Sequence, residues 1–147
     1  MATYPALQNG AAADFSRRSW IRLEQGGTGT LRCNDGNRSG DFAIDVRDLV
    51  NLGLAVEVAL TGRSTSFIRR NGNMLSVEPV DGVDGAVRFK GKGSDWSSLR
   101  GHSPRLLQEF CLATLRALGV LPVTITSFSS PQFDTYIQQT NIQINNF

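Results

Sequence analysis

The chain has 147 residues, of which 40% are hydrophobic and 19% are charged, and its formal net charge is only +2. This balance predicts one globular domain with its own core, and it excludes a chain that is a polycation as a whole. The first residues lack the basic start and apolar run of a signal peptide. No stretch reaches the roughly 18 apolar residues of a membrane span. We therefore expect an intracellular protein that does not associate with a membrane, in which Cys33 and Cys111 are reduced packing residues.

The first half of the chain predicts β-strands, because apolar and polar residues alternate with a period of two. In "RSWIRLEQ", Ile21 and Leu23 would face the core, and Arg18, Trp20 and Arg22 would face the other way. The glycine-rich "GGTGT" then predicts a turn and "DFAIDV" another strand.

Between these two, "LRCN" predicts a strand with Arg32 outward, and further on "RDLVNLGL" predicts a short helix for which Asp45 is a possible cap. Further strands are predicted at "VEVALTGR", "TSFIRR" and "MLSVEPV", the last two separated by "NGN". "DGVDG" is typical of a hairpin loop. It leads into "AVRFKGKGSDW", where a strand would place Arg88, Lys90 and Lys92 on the face opposite Val87 and Phe89.

One long helix is well marked, with Ser103 as its predicted cap, Pro104 in the first position and Gly119 at its end. A stripe at helical spacing predicts its buried face: Leu107, Phe110, Cys111, Thr114, Leu115 and Leu118. These elements predict an α+β fold, in which an antiparallel sheet has one long helix and a short helix packed on one face and a basic opposite face.

The last part of the chain is almost free of charge. "LPVTITSF", residues 121–128, has the β-branched alternation of a strand, and we expect it at a dimer seam. We place a single domain at residues 1–128 and a polar C-terminal arm at residues 129–147, either flexible or added as a strand to a partner.

No motif indicates an enzyme. "GGTGT" lacks the lysine and helix start of a phosphate-binding loop, and "DGVDG" lacks the length and the glutamate of a calcium loop. His102 has no catalytic partner at a recognisable spacing, so a solvated or capping role is favoured. We expect no cofactor, no metal and no small-molecule substrate.

Ten residues form a candidate nucleic-acid-binding set because they are cations, or an aromatic among cations, on predicted strands and loops. They are Arg18, Trp20, Arg22, Arg32, Arg63, Arg69, Arg70, Arg88, Lys90 and Lys92. One interpretation is a solvated sheet face whose charges guard the edges. The other is a surface for phosphates, where Trp20 could stack on a base or a helix end.

Four short segments in the same order resemble the small RNA-silencing suppressors of tombusviruses, and the chain's size is similar to that of the aureusvirus suppressors. They are "SWIRL", "VRFKG", "RLLQEFCLATLR" and "LPVTI". The resemblance implies a homodimer whose continuous concave sheet sequesters double-stranded RNA, including small interfering RNA, in the host cytoplasm without base specificity. That family stacks two tryptophans, three residues apart, on the duplex ends, whereas only Trp20 stands in the corresponding region here.

Two alternatives remain open. "NMLSVEP" faintly resembles a strand of the Whirly single-stranded DNA-binding proteins, although the Lys–Gly–Lys motif expected before it is replaced by Arg70 to Asn73. The other alternative is a structural or virion protein whose tail exchanges strands.

Overall fold

The structure, a computed structural model, describes residues 9–16, 18–93 and 95–142. It confirms the predicted α+β class, but it contains two four-stranded antiparallel sheets rather than one. Within each sheet the strands are neighbours in chain order, and each sheet is followed by a helix. The chain thus runs twice through the same succession of four strands and one helix.

The first unit comprises β1 (Ala11–Asp14), β2 (Trp20–Leu23), β3 (Thr28–Asn34), β4 (Ser39–Asp45), a short 3-10 helix (Val46–Asp48) and α1 (Leu49–Leu60). The second comprises β5 (Thr65–Ile68), β6 (Met74–Pro79), β7 (Val87–Lys90), β8 (Trp96–Leu99) and α2 (Ser103–Ala117), and α3 (Pro131–Thr140) ends the described chain.

Helix α1 corrects one strand prediction. The segment "VEVAL" continues α1 rather than forming a strand. Leu49, Leu52, Val56 and Ala59 recur at three- and four-residue steps and are all buried, so the helical period outweighs the local alternation of valines. At the start of this region Asp45 caps the 3-10 helix, as predicted.

Helix α2 follows the predicted pattern closely. Gly119 ends it with a φ of 74°, a left-handed conformation that glycine adopts without strain. Five residues of the predicted stripe are buried and Leu118 is half-buried. The cap prediction was wrong by one position, because His102 precedes the first helical residue, Ser103, whose hydroxyl donates instead to the carbonyl of Phe15 at 3.3 Å.

A single apolar core joins both units. The inner faces of the two sheets contribute Ile21, Leu31, Phe42, Phe67 and Phe89 to it, and all of these side chains are buried. Helix α1 packs against α2 and against the inner face of the second sheet. The outer faces of both sheets are thereby left free to carry polar residues.

The segment after α2 differs from its prediction. Residues 121–128 form turns and irregular backbone, so they supply no strand for a dimer seam. Leu121, Ile125 and Phe128 turn into the core, which holds the segment against its own domain. Beyond it, Pro131–Thr140 forms a helix with Phe133 buried, rather than a flexible arm or an added strand, and residues 143–147 of the predicted arm lie outside the described residues.

Within the described ranges, none of the helices has the length and apolar character needed to cross a bilayer.

Gly53 in α1 tests how the segment after α2 is held. A Cβ at Gly53 would overlap the ring of Phe128. We expect Gly53→Ala to lower the free energy of unfolding by about 1–3 kcal/mol, the usual cost of overpacking a core. Gly26→Ala is the control, since a Cβ there meets nothing within 4 Å. Urea denaturation of both variants measures the effect, and equal stabilities would contradict the packing of Phe128 on α1.

Candidate nucleic-acid interface

The outer face of the second sheet carries a straight row of four side chains. The strand register pairs Ser66 with Ser76, Ser76 with Lys90, and Lys90 with Trp96. Neighbouring strands lie about 4.8 Å apart, so the row crosses the sheet over roughly 15 Å. It presents two hydroxyls, an ammonium group and an indole in one line.

Trp96 is the aromatic end of this row, and two arginines contact its ring. The guanidinium carbon of Arg38 lies 4.2 Å from the ring centroid, and that of Arg88 lies 4.8 Å from it. Cations over an indole face are attracted by its quadrupole. Trp96 itself is half-buried, so part of the stack remains accessible to a ligand.

The balance of charge on this face is positive. Glu78 lies 3.5 Å from Arg88 and 3.9 Å from Lys90, so one carboxylate serves two cations. The side chain of Lys90 is 50% exposed. Glu78 is the acidic residue among the outward positions of the four described strands of this sheet, and Arg38 adds a third cation beside Trp96.

The β3–β4 hairpin brings Arg38 to this face. The Ser97 hydroxyl donates to the carbonyl of Arg38 at 2.8 Å, and the Ser98 hydroxyl donates to Asp35 Oδ2 at 2.8 Å. Burial opposes ionisation of Asp35. The backbone N–H groups of Arg38 and Asn37 and the Ser98 hydroxyl outweigh it and lower the carboxyl pKa. The ionised Asp35 thus holds the hairpin against β8.

The first sheet has an outer row of its own. The register aligns Asp14, Trp20, Arg32 and Asp41, and the guanidinium carbon of Arg22 lies 4.3 Å from the Trp20 ring centroid. Arg32 is paired with Asp41 at 3.1 Å. The structure therefore brings three predicted residues together here, but acidic residues flank them at both ends of the row.

Arg69 was wrongly predicted as a nucleic-acid contact. Its side chain is buried on the core side of the second sheet and donates to the carbonyls of Ala43, Asn73 and Met74 at 3.1–3.4 Å. Desolvation lowers its pKa, while the charge of Asp48 acts in the opposite direction. Arg69 ties β4 to the β5–β6 hairpin and has a structural role.

Asp48 also joins the end of β4 to the β5–β6 hairpin. Its carboxylate accepts from the N–H of Arg70 at 2.8 Å and from that of Asp45 at 2.9 Å. Burial raises the pKa of Asp48, which the two N–H donors only partly offset. These hydrogen bonds hold the connection between β4 and α1 against the β5–β6 hairpin.

Four of the remaining predicted residues lie apart from the row, whereas Arg88 and Lys90 belong to the outer face that carries it. Arg88 and Lys90 point outward as predicted, opposite the buried Val87 and Phe89, whereas Lys92 falls in the loop after β7. Arg18, Arg63 and Arg70 are exposed in connecting segments. They add cations to the surface without a defined position in either row.

Sequence reasoning missed Trp96 and Arg38 as site residues. In "WSSL" two adjacent serines hide the alternation that would have marked a strand, and β8 was not predicted. Arg38 lies in a turn 58 positions away from Trp96. The available signal was the "NDGN" turn, which indicates a hairpin but not where its tip packs.

Comparison with family models, curated proteins and solved structures finds no match to this chain. In the described part of the chain, no group of three or more histidine, cysteine, aspartate or glutamate residues could hold a metal ion.

Substitution of the neighbouring residues Arg69 and Arg70 distinguishes a structural cation from a surface cation. Arg69→Ala would remove a buried side-chain donor from three carbonyls, of which that of Asn73 keeps the backbone N–H of residue 69 at 2.8 Å. We expect a loss of about 1–3 kcal/mol in the free energy of unfolding. Arg70→Ala removes the same charge from an exposed side chain, and about 0.5 kcal/mol or less is expected. Thermal denaturation compares them. Equal losses would place Arg69 at the surface.

Proposed function

We propose that the chain is a non-enzymatic protein that binds single-stranded nucleic acid on the outer face of its second sheet. The observation that carries this proposal is the row from Ser66 to Trp96 with two arginines on the indole. A cation within a row of hydroxyls suits a phosphate backbone, and an aromatic with guanidinium planes suits an unstacked base.

The chemistry of this face favours contact with backbone and base planes rather than with base edges. Hydroxyl and ammonium groups can donate hydrogen bonds to any phosphate, and every base has a face that can stack on indole or guanidinium. The outward side chains of the described strands form an open sheet surface, which suits bases of any identity. Binding with little sequence preference is therefore expected.

The position of Trp96 favours a single strand over a duplex. A duplex keeps its bases stacked inside, so the indole of Trp96 could reach a base face only at a duplex end. A single strand exposes base faces along its whole length. Trp96 stands next to Lys90 within the row, where a base and a phosphate of the same strand can be contacted together.

Duplex RNA is the second candidate ligand, and a different surface favours it. Trp20, with Arg22 on its ring and Arg32 opposite it, could stack on a duplex end on the outer face of the first sheet. In that case the chain would act as a suppressor of RNA silencing in the host cytoplasm, and a homodimer would widen the face. A structural or virion role remains the prediction if neither ligand binds.

The two tryptophans are the natural reporters for these candidates, since the chain has only two. We expect Trp96→Ala to weaken binding of a single-stranded 12-mer by about 1–3 kcal/mol, the usual contribution of one base–aromatic stack. Trp20→Ala is the matched control and should leave this affinity unchanged. Trp96→Phe should restore part of the binding. Fluorescence anisotropy measures all three.

Emission of the remaining indole adds a direct readout. In Trp20→Phe, quenching on titration with the single strand would report stacking on Trp96. If Trp20→Ala instead weakens binding of duplex RNA, and the affinity for short duplexes falls more than that for long ones, the duplex candidate replaces the single-strand proposal.

Lys90 tests the phosphate contact. Removing one phosphate contact should reduce the slope of log affinity against log salt by about 0.7 for a single strand. We expect this change in Lys90→Ala. Arg63→Ala removes the same charge from an exposed residue outside the row and should keep the parental slope. Identical slopes in both variants would show that Lys90 contacts no phosphate.

A further inference from the structure

We propose that Ile68 and Met74 form a second base-contact site on the same face, so that the shortest tightly bound ligand is a strand of about four nucleotides that reaches both this pair and Trp96. This inference rests on the proposed function and specifies the length and the contact pattern of its ligand.

Ile68 and Met74 are unusually exposed for large apolar residues. Their exposed fractions are 44% and 51%, and the register places them directly opposite each other on β5 and β6. Both point to the outer face, because Phe67 and Leu75 beside them in the chain are buried. Together they make a small apolar patch at one end of an otherwise polar surface.

The patch lies at a useful distance from Trp96. Met74 stands two residues from Ser76 on β6, and Trp96 stands two strands away from Ser76 in the same row. Strand spacing and rise place Met74 and Trp96 about 12 Å apart. At about 3.4 Å per stacked nucleotide, the three steps between four nucleotides span roughly 10 Å, so a four-nucleotide strand that is slightly extended reaches both groups.

The residues between Met74 and Trp96 match the part of the ligand that would lie over them. Ser76 and Lys90 separate Met74 from Trp96, and they offer a hydroxyl and a half-exposed ammonium group. A strand laid across the face would place phosphates over these groups. Its bases would rest on apolar surface at either end, where thioether and indole groups both contact aromatic rings favourably.

Charge decides which occupant this patch takes. An apolar pair on a sheet could also dock a protein segment, but here three cations, Arg38, Arg88 and Lys90, outnumber the two carboxylates of Glu78 and Asp35. An anionic polymer with flat apolar units satisfies both features at once. Single-stranded nucleic acid has this combination.

The experiment is a length series of oligothymidylates, from two to twelve nucleotides, against three proteins. The test variant is Ile68→Thr with Met74→Thr, which keeps β-compatible residues in both strands. The control is Val123→Thr, which removes a large apolar residue that is 80% exposed in the segment between α2 and α3. Thermal denaturation shows that each variant is folded before its affinity is measured.

For the unchanged protein, we expect affinity to rise steeply up to about four nucleotides and more slowly beyond this length. The double variant should bind the twelve-nucleotide strand about three- to thirtyfold more weakly and bind the dinucleotide as the parent does, because a dinucleotide reaches Trp96 alone. Val123→Thr should match the parent at every length.

Three outcomes would overturn the inference. If the double variant binds all lengths like the parent while Trp96→Ala weakens them, the patch makes no base contact and the proposed function stands without it. If the affinity of the double variant falls by the same factor at every length, the patch affects binding through the fold and not through contact with a second base. A parent that binds no single strand at any length removes both the function and this inference.

Discussion

The contact between the β3–β4 hairpin and β8 is the constraint on which the rest of this structure depends. Ser97 and Ser98 are buried, and their hydroxyls are satisfied by Arg38 and Asp35 of the hairpin at 2.8 Å each. Without the hairpin, both hydroxyls would lack partners, and β8, an edge strand of the second sheet, would be exposed. The same contact sets Arg38 on the ring of Trp96, so it builds the fold and the candidate site together.

The repeated succession of four strands and a helix explains why two similar sheets present different surfaces. Inner faces must be apolar, because both contribute to one core. Outer faces have no such requirement. On the first sheet Arg32 is matched by Asp41, whereas on the second Glu78 serves both Arg88 and Lys90. The excess of positive charge and the apolar pair therefore coincide on the second sheet alone.

Arg69 shows why charge in a sequence does not identify a binding surface. Strand alternation places it on the same side as Phe67, and the fold accepts the cation because carbonyls of Ala43, Asn73 and Met74 satisfy it. Arg88, on β7, points outward instead, since Val87 and Phe89 fill the core beside it. The two arginines differ in what lies beneath them, which depends on packing between the two units.

The sequence by itself determined the features that have a short period. The alternation around Ile21, the outward direction of Lys90 and the helix closed by Gly119 follow from the pleat, the helical turn and the freedom of glycine, all of which are local. Tertiary structure decided the rest. It made the valine-rich end of α1 helical, turned Phe128 into the core against Gly53, and joined Arg38 to Trp96 across 58 positions. These outcomes depend on burial against distant residues, and a local pattern carries no information about which distant surface it will meet.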